Sequence, residues 1–142
     1  MEISVVRQRV LQTIDRARAA AADRRARVDQ ASRDYALFLE RVAVPLFKQV
    51  VNVLRAHNYT FDVFTPGGSV RMMSERSSED YIELVLDTTG DVPLVMGRSS
   101  RVRGSRGVAT ERALNPSTPI GELSEDDVLA FVMKELEPFV EK

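Results

Sequence analysis

Arg98, Arg101, Arg103, Arg106 and Arg112 fall within fifteen positions, and only Glu111 opposes them inside that stretch. Guanidinium forks match the paired oxygens of phosphates and carboxylates, so this cluster could hold an anion or an acidic protein surface. Ser99, Ser100 and Ser105 add neutral donors. Strand alternation sets Arg101 and Arg103 on one face and Val102 on the other. The stretch contains no aromatic residue, which argues against a surface that stacks unpaired bases. The plainer reading is a solvated β-hairpin whose charges discourage edge-to-edge pairing, and that reading is preferred.

Other residues offer less chemistry. The chain has no Cys and a single His, which excludes thiol catalysis and Cys-based zinc sites. His57 would be the only base for a Ser–His–Asp arrangement, and no serine stands at a readable spacing from it. Its position before Asn58 suits a helix C-terminus instead. Glu125, Asp126 and Asp127 follow Ser124 and read as the first turn of a capped helix. Glu79, Asp80 and Glu83 lie at a strand entry without a His or Lys companion. Gly104-Ser105-Arg106-Gly107 has the GXXG spacing of a nucleic-acid backbone clamp. That clamp joins two helices, whereas the flanks Val102 and Val108 read as strands. Asp87 to Asp91 lacks the alternating ligands and distal Glu of a calcium loop, and reads as a turn. No enzyme activity, metal or cofactor is expected.

Charge is balanced in total, with 20 Lys and Arg against 21 Asp and Glu, but not along the chain. Residues 1–60 carry a formal +5, residues 61–112 carry −1, and residues 113–142 carry −5. A basic segment and an acidic segment in one chain suit a contact within or between copies.

The elements that position these residues begin with a helix. Between Ile3 and Val44 there is no Gly and no Pro, and Ala and Arg dominate. Steps of three and four visit Ile3, Val6, Val10, Ile14, Ala17, Ala21, Arg24, Val28, Ala31, Tyr35, Phe38 and Val42. All but Arg24 are apolar, which makes a coiled-coil-like seam. A hairpin near Asp23 lacks the Gly, Pro or Asn that a turn needs, so one continuous helix is expected. Val6, Val10, Ile14, Val28 and Tyr35 are then the candidates for self-association. The division expected is an oligomerisation arm over residues 1–44 and a small α+β domain over 45–142. Pro45 predicts a kink or a restart, followed by a second amphipathic helix to His57.

Past Asn58 the period shortens to two. Thr60 to Phe64 and Val70 to Met73 flank a turn with Gly67 and Gly68. Ile82, Leu84 and Leu86 mark one apolar face of a third strand. Val92 to Gly97, Ser100 to Arg103 and Val108 to Arg112 read as further strands. Short connections require an antiparallel meander, of four to six strands. Leu129, Val132, Met133 and Leu136 would turn a last helix onto the sheet, with Pro138 ending or kinking it. The fold expected is therefore α+β: a long N-terminal helix, a second helix, the meander, and a C-terminal helix packed on one face.

The function expected is a non-enzymatic interaction or adaptor protein. Its partners would be a second copy of itself, as a homodimer or larger, and another protein. The alternative is nucleic-acid binding through the arginines of the first helix and the 98–112 hairpin. The N-terminus lacks the uninterrupted apolar run of a signal peptide, and no stretch reaches the roughly 20 residues of a membrane span. A cytoplasmic location without membrane contact is the expectation.

Overall fold

The computed structural model describes residues 1–141. Helix α1 runs unbroken from Ile3 to Phe38, so the chain forms no hairpin near Asp23. Thirty-six residues at 1.5 Å each make it about 54 Å long. It passes through a π turn, Leu39–Ala43, directly into α2, Val44–Ala56. Pro45 therefore neither stops nor restarts the helix. Proline cannot donate to Arg41, and the turn just before it widens so that Val44 N–H reaches Leu39 O. Helix α2 ends where Asn58 takes a φ of 70°. Asn58 N–H bonds Arg55 O and Tyr59 N–H bonds Leu54 O, the paired closure that a left-handed residue permits.

Five strands follow: β1 Phe61–Phe64, β2 Val70–Ser74, β3 Tyr81–Asp87, β4 Leu94–Arg103 and β5 Arg106–Ala113. They pair in sequence order, each antiparallel to the next. Gly67 and Gly68 at φ 53° and 79° turn β1 into β2, and Gly104 at φ 66° opens the two-residue turn into β5. The expected break between Gly97 and Ser100 does not exist; β4 is one strand. Gly97 sits inside it because a Cβ there would overlap the ring of Phe131 from the last helix. The glycine marks a close helix–sheet approach and not a turn.

Helix α3, Glu125–Val140, is capped as its sequence suggests. Ser124 Oγ accepts from Asp127 N–H, and the Asp127 carboxylate accepts from Ser124 N–H. The helix continues through Pro138, which removes only one backbone bond near its end. Its buried face is Val128, Phe131, Val132 and Leu136, while Leu129 and Met133 point to solvent. Phe131 occupying the space above Gly97 sets that rotation.

One face of the sheet, through Val70, Met72, Ile82, Leu84 and Val95, packs under α2 and α3, with Phe47 and Phe131 fully enclosed between the layers. The end of α1 closes this core with Ala31, Tyr35 and Phe38. Helix α1 thus belongs to the domain from about Val28 onward, and the boundary of the free arm lies there and not at Val44. Among the described residues no helix is long and apolar enough to cross a membrane.

Candidate functional site

The seam read from the sequence is a single stripe in two environments. At about 100° per residue, Ile3, Val6, Val10, Ile14, Ala17, Ala21 and Val28 lie within an arc of about 80°. From Val28 the stripe enters the chain's own core. Tyr35 is 6% exposed, and its hydroxyl donates to Leu84 O at 3.3 Å. Burial and the nearby Glu83 carboxylate push the Tyr35 phenol above its ordinary range. Tyr35 is therefore not offered to a second copy, and half-buried Val28 is offered only in part. These two are corrected from self-association residues to docking residues of α1 on its own domain.

Val6, Val10 and Ile14 are placed differently. They stand 46%, 51% and 38% exposed, with Ile3 at 86%, on a helix that has left the domain behind. Residues 3–27 project for about 37 Å, and among the described residues nothing packs along them beyond the notch at their root. That notch, of about 300 Å³, is lined by Ala21, Arg24, Arg25, Val28, Asp29 and Thr88 from the β3–β4 turn. Residues 1–27 carry seven Arg against three acids. On the same helical projection Arg7, Arg18 and Arg25 flank one side of the apolar stripe, and Arg9, Arg16 and Arg27 flank the other.

The five hairpin arginines are not one cluster. Arg98 lies on the sheet face opposite α2 and α3, in a cross-strand row Arg71–Glu83–Arg98–Glu111 set by the strand register. Glu83 is buried there at 4% exposure, 2.9 Å from Arg71 and 3.9 Å from Arg98. Arg98 also donates to Glu111 at 3.2 Å, and Arg71 lies 4.0 Å over the Tyr81 ring. Arg112 lies on the opposite face, 3.4 Å from Glu135 of α3 and 4.9 Å over the ring of Phe131. Glu135 accepts from Ser99 as well, at 3.1 Å. Arg98 and Arg112 are thus neutralised within the fold. Only Arg101, Arg103 and Arg106 remain together at the β4–β5 tip, with no ion pair among the described residues. Glu83 and Glu135, which set this division, became visible only with strand register and helix rotation.

Beside that tip lies a mixed-charge groove. A cavity of about 500 Å³ takes in His57, Ser74, Arg76, Asp80 and Glu141. Its neighbour, about 430 Å³, shares Asp80 and Glu141 and reaches Arg101 and Arg103. Asp80 there accepts from Val102 N–H at 2.8 Å, so one of its oxygens already holds the strand. The His57 ring bonds no described residue, consistent with its place at the end of α2. Among the described residues no group of three or more acids and histidines is set to hold a metal ion. The tip and the arm root sit at opposite ends of β4, about 30 Å apart at 3.3 Å per residue. Compared with family models, with curated proteins and with solved structures, the chain matches none of them.

Proposed function

We propose that this chain is a non-enzymatic interaction protein that self-associates through the free arm of α1 and uses its compact domain to present a surface to another protein. One observation carries this reading. The apolar stripe that docks α1 onto its own domain continues past the domain edge, and Ile3, Val6, Val10 and Ile14 stay exposed along it. Helices in water draw most of their stability from packing an apolar face, so a stripe this long on a projecting helix calls for a cover. A second arm of the same chain supplies one with matching length and spacing.

The separation of the two arginine groups weighs against a single nucleic-acid interface. A duplex contacting the arm would not reach Arg101, Arg103 and Arg106 without crossing the domain. The test is light scattering across a range of concentrations with the ultraviolet spectrum recorded. Twice the 15.9 kDa chain mass at moderate salt, rising with concentration, is the expected result. A monomer at all concentrations overturns the reading. With three Tyr and no Trp the protein absorbs weakly, so co-purified nucleic acid would dominate the spectrum and redirect the assignment.

A further inference from the structure

Resting on that self-association reading, we infer that the two arms pair antiparallel, centred near Ile14, with the tip of each arm seated in the notch at the root of the other. Three features of α1 point the same way. The first is residue size. The seam is branched and bulky at its N-terminal end (Ile3, Val6, Val10) and small toward the domain (Ala17, Ala21). Antiparallel pairing with positions summing to about 27 sets Val6 against Ala21 and Val10 against Ala17. The layers on either side of the central Ile14 pair then hold one large and one small side chain, and the helix axes stay evenly spaced there. Parallel pairing stacks Ala on Ala and Ile on Ile, so the axes would have to splay along the arm.

The second feature is charge. In a parallel pair Arg24 faces its own copy at the seam. Flank charge does not separate the orientations: a parallel pair brings Arg7 near Arg9 and Arg16 near Arg18, and the antiparallel pair brings Arg7 near Arg18 and Arg9 near Arg16. Reversing one helix separates Arg24 from its twin and brings Glu2 of one copy beside Arg24 of the other. One repulsive seam layer becomes two attractive contacts.

The third feature is the notch. An antiparallel overlap of residues 3–24 spans about 32 Å and ends where the domain begins. It delivers Ile3, the most exposed large side chain of the arm after Met1, to the hollow between Ala21, Val28 and Thr88 of the other copy. A parallel pair leaves both hollows unfilled and both Ile3 side chains at a frayed end. The two domains of the antiparallel dimer stand at opposite ends of the paired arms.

The chain lacks cysteine, so single thiols placed on the arm report the arrangement without background. Full-length variants Val6→Cys, Ala21→Cys and Ile14→Cys, the second carrying a mass tag, are equilibrated singly and mixed in a glutathione buffer. A disulfide needs Cα atoms within about 7 Å, so only facing positions are captured. Ile14→Cys self-links in either orientation and reports pairing as such. The expected result is a mixed disulfide between positions 6 and 21 exceeding both self-disulfides at least tenfold. Dominant self-disulfides at positions 6 and 21, or a statistical mixture, overturn the antiparallel assignment and leave self-association standing. A monomeric mass with no self-disulfide at position 14 removes self-association itself, and the orientation with it.

Discussion

Replacing Val10 and Ile14 together by Asp tests the arm without touching the domain. Both side chains lie on the projecting segment, with Ile14 about 21 Å of helix before Val28, where docking starts. Their exposures of 51% and 38% are the area that a second arm could remove from water. A fully buried aliphatic side chain contributes about 1.5–3 kcal/mol, so each exposed fraction is worth roughly half of that. Four such side chains in a dimer give about 3–5 kcal/mol, or a 10²–10⁴-fold weaker association. Carboxylates forced into the seam without partners add to the loss. The monomer, in contrast, is little disturbed. A carboxylate at position 10 would stand three residues after Arg7, and one at position 14 four residues before Arg18, spacings that support a helix. The assay is light scattering at matched concentrations, with urea unfolding of the same samples. The mass should fall to that of one chain while unfolding at low protein concentration stays as in the parent. An unchanged mass at the same concentration refutes the assignment of the exposed stripe as the association surface.

Within the domain, Gly97→Ala should destabilise by about 1–3 kcal/mol in urea unfolding, because its Cβ would meet the Phe131 ring and force helix α3 off the sheet. Wild-type stability would show that the ring moves freely. Glu83→Gln removes the charge that Arg71 and Arg98 share on a site 4% exposed and should cost about 1–3 kcal/mol by the same measurement. Asp127 is held below the ordinary carboxylate range by the Ser124 backbone N–H and then by the Asn115 amide. A lowered native value means stability that is present above about pH 4 and lost as pH falls through the native value. Asp127→Asn should therefore lose less stability than the parent between pH 4 and 2; identical acid profiles would remove this role.

The layer order of the fold was legible because its signals are local. Apolar periodicity located α1, α2 and the strands, Ser124 announced the start of α3, and Asn58 announced the end of α2. Features set by contacts across the sheet were not legible. Gly97 read as a break because a sequence shows a missing side chain but not the Phe131 ring that occupies its space. Leu129 and Met133 read as core because their spacing is as apolar as that of Phe131 and Val132, and only the seat of Phe131 fixes the rotation. The arginine stretch read as one cluster because Glu83 and Glu135 are 15 and 23 residues from the arginines they neutralise, Arg98 and Arg112. Tyr35 read as a seam residue for the same reason that it is a docking residue. The stripe is continuous, and the sequence does not mark where its partner changes.

That change of partner gives the composition of α1 a physical meaning. Apolar bulk along the stripe is high from Ile3 to Ile14, low through Ala17, Ala21 and Arg24, and high again from Val28 to Phe38. The second rich segment is consumed by the core, where Ala31, Tyr35 and Phe38 are buried. The first has no access to that core, because α2 and α3 already cover the packed sheet face. The remaining sheet face mixes the Arg71–Glu83–Arg98–Glu111 row with Met73, Tyr81, Val85, Met96 and Val102, so a helix laid across it would have to bury charged groups. A helix that merely completed this domain could begin near Ala21. The additional residues repeat the same phase, add bulk on the stripe and keep arginines on its flanks. Those properties support the proposed pairing with another helix, in which the alanines between the two segments leave room for the bulkier side chains of the partner stripe.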